Sequence, residues 1–275
     1  MSDARASGPE CSPAGGGAEH RLVFVGGMHR SGTTPLTRAI AAHPDVSGFE
    51  NTHAEEDEGQ HLQDVMPTGE RFGGPGRFAL DPRSALTESS PLVGAESADR
   101  LMGQWGRYWD LSKHVLVEKS PPNLIRMRFL QALFPDASFI VITRHPVIVS
   151  LSTKKWAPRR SYASVFENWF RAHETMRDDS SHIRRLHMIT YEDLVARPAE
   201  VLAGVSSFIG LTGTLPADMV QGGRSSSYEA TWSAWQNSGN PLIKLRMRRL
   251  HDRYAERAAS FGYRFDDLSS SHPPA

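Results

Sequence analysis

Cysteine is nearly absent from this chain of 275 residues, Cys11 being the only one. That excludes an internal disulfide framework and a cysteine metal cluster, and makes a reducing compartment the simplest setting. No apolar run approaches the roughly 18 residues that a membrane-spanning helix needs. Residues 1–20 are too polar and glycine-rich for a secretory signal, so the sequence predicts a soluble, cytoplasmic protein. Net charge is missing too. Lys plus Arg and Asp plus Glu stand at 31 each, so the global positive charge of a general nucleic-acid binder is lacking and any anion site must be local.

What is present is an alternation of short apolar runs and helix-like segments. The runs are Leu22 to Gly26, Val115 to Val117, Ser138 to Thr143 and Leu186 to Thr190. They predict an α/β fold of the P-loop-like, three-layer kind, with a central, mainly parallel sheet flanked by helices. The length suits one large domain. Met1 to His20, rich in Ser, Gly, Ala and Pro, and the tail 268–275 are expected to be disordered, leaving residues 21–267 as the folded domain. Pro121 can open a helix reaching Leu133, and Phe134-Pro135-Asp136 closes it. Residues 69–82 predict an irregular but ordered loop. Leu242 to Phe261 predicts an amphipathic helix whose charges form a solvated face.

The most informative stretch is Gly26-Gly27-Met28-His29-Arg30-Ser31-Gly32-Thr33-Thr34-Pro35, between the first strand and a helix. A glycine-rich turn in that place aims backbone N–H groups and a helix N-terminus at an anion. Yet the Walker lysine is lacking. From Gly27 the G-x-x-x-x-G spacing is intact, but Thr33 stands where the P-loop has Lys and Thr34 holds its Ser/Thr place. Such a loop suits a β/γ-phosphate with magnesium poorly, and can hold a single 5′-phosphate with Arg30 as its charge. A second anion site is signalled by Arg144, at the end of the strand Ser138 to Thr143, and by Ser152, nearly two turns into the helix that Pro146 starts.

These residues resemble the sulfotransferases that use 3′-phosphoadenosine 5′-phosphosulfate (PAPS). Arg30-Ser31-Gly32-Thr33-Thr34-Pro35 is similar to their 5′-phosphosulfate loop, in the Arg form of the tyrosylprotein and many bacterial members. Arg144 and Ser152 match the 3′-phosphate motif in spacing. Tyr191-Glu192-Asp193-Leu194 resembles the segment whose tyrosine lies against the adenine, and Lys119 resembles a second active-site lysine. The resemblance implies a transferase with PAPS as sulfuryl donor and no metal. It implies Arg30 and Lys119 as catalytic residues, and the loop, Arg144, Ser152 and Tyr191 as nucleotide contacts. The Arg-Lys-Gly sequence that cytosolic members use on the 3′-phosphate is lacking. Gly222 to Tyr228, with Arg224 and Ser226, is the best replacement, a plain linker being the open alternative.

The resemblance supplies no general base. Pro121 stands where cytosolic relatives have a histidine, and Asn51 where tyrosylprotein relatives have a glutamate. The remaining candidates are Glu50, His53, Glu58 and His61. If the acidic run Glu55 to Val65 is helical, Glu58 and His61 fall on or beside the inner face marked by Leu62, Val65 and Met66, and either can take a proton. An acidic, solvated helix start is the alternative. The expected acceptor is a hydroxyl of a small molecule, sugar or secondary metabolite. Arg71, Phe72, Phe78, Trp105 and Trp109 are candidates for its pocket or for the core. A P-loop small-molecule kinase and a non-catalytic nucleotide-binding protein are the competing functions.

Overall fold

The computed structural model describes residues 20–223 and 225–268. The β-branched runs form strands β1 (Arg21–Gly26), β2 (Val46–Gly48), β3 (Val115–Lys119), β4 (Ser138–Thr143) and β5 (Leu186–Thr190). All pair in parallel, in the order β2-β3-β1-β4-β5. A parallel sheet needs both faces covered, and alternation along each strand divides the apolar residues accordingly. Phe24, Leu116, Phe139 and Val141 face one core; Val23, Val25, Val117, Ile140 and Ile142 face the other.

The second face is covered by α1 (Thr33–Ala41) through Leu36 and Ile40, and later by α7. The first carries α2 (Ala95–Trp105), α3 (Met127–Leu133) and α5 (Tyr162–Ser180), which follows α4 (Pro146–Trp156). After β5 come α6 (Tyr191–Ala196), α7 (Pro198–Ile209), α8 (Ser226–Gln236) and α9 (Pro241–Ala259). The three-layer architecture expected from the sequence is the one observed. No helix among the described residues is long and apolar enough to cross a membrane.

The chain leaves β1 for β2 and β3 on one side, then crosses to β4 on the other. Val25 lies opposite Lys119 on β3 and Ile140 on β4. The carboxyl ends of β1 and β3 therefore stand side by side, with β4 running on past them to Thr143, at the point where the strand order reverses, which is where such sheets open a crevice.

Two local expectations are corrected. Residues 55–65 are not a helix but two single 3₁₀ turns, Glu55–Asp57 and Gly59–His61, separated by an extended Glu58. The Asp57 carboxylate accepts from both the backbone N–H and the hydroxyl of Thr52 at 2.8 and 2.7 Å. Local side-chain to backbone bonds of this kind compete with a helical ladder. Asn51, His53, Glu56 and Asp57 all have positive φ. Second, the helix from Pro121 breaks at Arg126, which is non-helical at φ −135° and ψ 10° and buries its guanidinium on the carbonyls of Ser84 and Pro67. Trp105 and Trp109, which the sequence leaves open between pocket and core, belong to the core, donating their indole N–H to the carbonyls of Gly59 and Val117. Phe78 is buried there as well. The loop at 69–82 is irregular as expected, a chain of short 3₁₀ turns. Helix α9 lies where the amphipathic pattern put it, with Arg253 and Arg257 paired to Glu167 of α5.

Candidate active site

At the end of β1 the backbone must turn under its neighbours before α1 begins. A Cβ on Gly27 would lie 2.6 Å from the Ile142 carbonyl oxygen; Gly32, at φ +97°, would put one 2.5 Å from Cδ2 of Tyr191. Only glycine fits both places. Gly32 caps α1 without a side-chain bond, and no acidic residue occupies the first turn. The first-turn N–H groups and the positive end of the helix are thus offered to an anion. Ser31 is fully buried and its hydroxyl has no partner.

Two cations converge beside this loop. Arg30, itself at φ 71°, donates from Nε to Ser152 Oγ at 3.0 Å and lies 4.8 Å over the Trp156 ring. Arg144 leaves the end of β4, buried, with its guanidinium 3.8 Å over the Tyr191 ring. It donates to the Arg30 carbonyl and to Ser225 Oγ, both at 2.7 Å, while its Nε is buried without a partner among the described residues. The sequence predicts Arg224 and Ser226 as the contacts this segment offers to the 3′-phosphate. The neighbour Ser225 is the one on Arg144, and Ser226 is exposed with its hydroxyl on the Gly223 carbonyl. Arg224 lies outside the described residues.

A cavity of about 790 Å³ connects these groups, walled by Arg30, Gly32, Thr33, Thr34 and Pro35 of the loop, and by Arg144, Ser152 and Tyr191. Of the four candidate bases, Glu58 alone is among the lining residues. Glu50 and His53 are exposed. His61 stands behind Glu58, 3.9 Å from its carboxylate and 4.0 Å from that of Glu70. The extended residue between the two 3₁₀ turns delivers Glu58 to Lys119, whose Nζ lies 3.3 Å from Oε1 and donates to the Glu56 carbonyl at 2.8 Å. Burial pushes the Glu58 carboxyl above its usual range, against the pull of Lys119, Gln60 and His61. Such a carboxylate is a stronger base than a solvated one.

Among the wall residues not singled out in the sequence are His29, Arg38, Trp156, Met219, Gln221 and Tyr228. A signal existed for three of them. His29 sits inside the loop itself, Trp156 is one turn beyond Ser152, and Tyr228 closes the glycine-serine segment. Burial and the nearby Lys119, His61 and Arg30 charges drive His29 down to about 3, so it is a neutral imidazole at any working pH. Burial raises the Tyr228 phenol, but hydrogen bonds with Ser152 and Lys155 outweigh it and leave the group below its ordinary value.

The sequence profile described as "Sulfotransferase family" matches residues 23–214, more than half of the chain. The chain belongs to the sulfotransferase family. Within that family it is 26% identical over 207 residues to protein-tyrosine sulfotransferase 2 of Gallus gallus, covering 70% of this chain and 52% of that protein. It is also 26% identical to protein-tyrosine sulfotransferase 1 of Danio rerio, over 69% of this chain and 53% of the other. The chain spans about half the length of these curated relatives. Among solved structures, the sulfotransferase from Alicyclobacillus acidocaldarius superposes with a TM-score of 0.53 at 17% identity, covering 91% of this chain and 98% of that one. The sulfotransferase domain of the Synechococcus PCC 7002 olefin synthase gives 0.50 at 18%, over 91% and 97%. These two likenesses establish the sulfotransferase fold. Every loop and strand-end residue described above up to Tyr191 lies inside the matched segment.

Proposed function

We propose that this chain transfers the sulfuryl group of PAPS to a hydroxyl of a small molecule, sugar or secondary metabolite. One observation carries the proposal: two cations, Arg30 beside the α1 amides with its Nε on Ser152, and Arg144 at the end of β4 with its guanidinium on Ser225, wall a single cavity at adjacent strand ends. PAPS has two separated anionic ends, a 5′-phosphosulfate and a 3′-phosphate, and supplies an activated sulfuryl group whose S–O bond to phosphate breaks. The residues fit it. The buried, unpartnered Ser31 hydroxyl and the Cβ-free backbone of Gly27 and Gly32 make a cradle for the first end, with the Lys of an ATP loop lacking. Tyr191, already under the Arg144 guanidinium, offers a face for the adenine.

In this reading Arg30, Lys119 and the loop amides stabilise the negative charge that grows on the departing phosphate oxygen, each such group contributing about 2.7–4 kcal/mol to the barrier. Glu58 accepts the proton of the acceptor hydroxyl as its oxygen attacks sulfur in line. A sulfuryl group bears less charge than a terminal phosphoryl group, so the chemistry needs no divalent metal. The cavity volume lies within the usual range for small-molecule sites, which supports a small acceptor. The names of the relatives favour protein tyrosine as a second reading.

Calorimetry with 3′-phosphoadenosine 5′-phosphate (PAP) against ATP plus magnesium tests the donor. Tight, metal-free PAP binding that is lost in Arg144→Ala is expected; equal or better binding of ATP with magnesium overturns it. PAPS turnover on a panel of small phenols, alcohols and sugars beside a tyrosine-containing acidic peptide then separates the acceptor classes. Turnover on the peptide alone would favour the second reading.

A further inference from the structure

The Glu58 carboxylate has two hydrogen-bond partners, and they hold different oxygens. Lys119 is on Oε1; the side-chain amide of Gln60 donates to Oε2 at 2.5 Å. Gln60 is itself buried to about the last atom, at 1% exposure, and every arm of it is tied down. Its Oε1 accepts from the Gly69 N–H at 2.8 Å. Its backbone N–H donates to Ser120 Oγ at 2.9 Å, and Ser120 donates in turn to the buried Glu118 at the end of β3. Its backbone carbonyl accepts from Gln63. The amide cannot be flipped, because the Gly69 N–H can only donate, so the NH₂ end must face Glu58.

We propose that Gln60 is a positioning residue for sulfuryl transfer, holding Glu58 by one oxygen so that the other can take the acceptor's proton. This rests on the reading of Glu58 as the base. The division of labour follows from the two cavities. Glu58 lines the main cavity, whereas Lys119 lines a small recess beside it with Thr34, Glu56 and Asp57, on the phosphate-loop side. When its ammonium turns to the departing phosphate oxygen, Oε1 loses its partner and becomes a free acceptor. The acceptor O–H then breaks toward Oε1, the acceptor oxygen forms its bond to sulfur, and the electron pair of the cleaved S–O bond leaves on the phosphate. Through that exchange only Gln60 continues to fix the carboxylate. A carboxylate held to within a fraction of an ångström is what proton transfer requires.

The charged groups around Glu58 are Lys119 from β3, His61 on its own segment with Glu70 beyond it, and Glu118. Against this fixed background, the Gln60 hydrogen bond favours the ionised carboxylate. Losing it raises the proton affinity of Glu58, and the acid limb of kcat, below which the base is protonated, moves to higher pH.

The test is the pH profile of kcat, with KM and PAP affinity, in wild type, Gln60→Leu, Gln60→Asn and Glu58→Gln. Gln60→Asn keeps an amide for Gly69 but falls short of Glu58, so it reports even if the leucine variant does not fold. The expected result in both Gln60 variants is an acid limb displaced upward by about one pH unit and a roughly tenfold lower kcat. KM and PAP affinity should stay within about twofold. Limbs that superpose on wild type, with Glu58→Gln inactive, overturn the role of Gln60 alone. Full activity with an unchanged profile in Glu58→Gln overturns the base reading and this inference with it.

Discussion

Replacing Arg144 by alanine should separate the two ends of the nucleotide. The side chain is buried, at 6% exposure, and makes two 2.7 Å hydrogen bonds, to the Arg30 carbonyl and to Ser225 Oγ, with its Nε still free. A charge-assisted bond to a phosphate contributes about 1.5–3 kcal/mol net, and an arginine fork can make two. Arg144→Ala should therefore weaken PAP by about 3 kcal/mol or more, at least a hundredfold in Kd. The variant also loses the stacking on Tyr191 and the support of the Arg30 carbonyl, effects that would fall on any nucleotide in the cavity. The discriminating ligand is adenosine 5′-phosphate, which lacks only the 3′ group. Its affinity should fall by about tenfold or less, since that loss contains the stacking and support alone. The quantity to measure by calorimetry is the difference between the two losses, a cycle in which shared structural damage cancels. Equal losses for both nucleotides would refute the assignment of Arg144 to the 3′-phosphate.

Three further outcomes follow from the same geometry. Lys119→Met should lower kcat by about 10²–10³ while PAP affinity changes little, because the ammonium faces the developing charge more than the resting one; single-turnover kinetics with PAPS check this, and an unchanged rate sinks it. Gly32→Ala should abolish nucleotide binding in calorimetry and lower Tm, since its Cβ would lie 2.5 Å from the Tyr191 ring at a φ of +97° that alanine resists. Glu118, buried under Ser120 and Asn123, is raised by burial from 4.5 to about 7. Between those values the folded chain binds more protons than the unfolded one, so this group's contribution to stability is present below about 4.5 and is lost as pH rises through about 7. Chemical denaturation from pH 5 to 7.5 should show that decline in wild type, on the order of a few kcal/mol, and a flatter profile in Glu118→Gln; identical slopes would contradict it.

How much of this was legible in the sequence depends on what held each segment in place. Strand β4 was readable to the residue because a buried, β-branched run next to turn residues has no competing structure; β5, half-buried over its first three residues, has the predicted bounds too. Strand β2, three residues long, gave no period to detect and exists because β3 offers it an edge. The proposed nucleotide loops were readable for a related reason: their geometry is set by glycines and strand ends that neighbour in sequence. The proposed base was not. Glu58 was singled out by helical spacing in a segment that is no helix, and its burial comes instead from β3, which brings Lys119 to it across 61 residues of chain. Thr52 and Asp57, rather than apolar periodicity, shape that segment.

The same segment explains why a family resemblance could hand over the phosphate loops and not the base. At Asn51, where tyrosylprotein relatives have glutamate, the side chain is exposed and the backbone turns through positive φ. The chain then runs back over the loop, where Glu56 accepts from the Thr34 hydroxyl at 3.3 Å and Glu58 meets Lys119. Two carboxylates thus sit on groups that the proposed reading gives to the phosphosulfate. An arriving anion must compete with them, and like charges so close in a partly buried site repel strongly. In that reading, seating the 5′ end requires Glu56 to leave Thr34 and Lys119 to turn from Glu58. The proposed base is then freed by the event that brings the sulfuryl group within reach, and without that group its reactive oxygen stays on the ammonium.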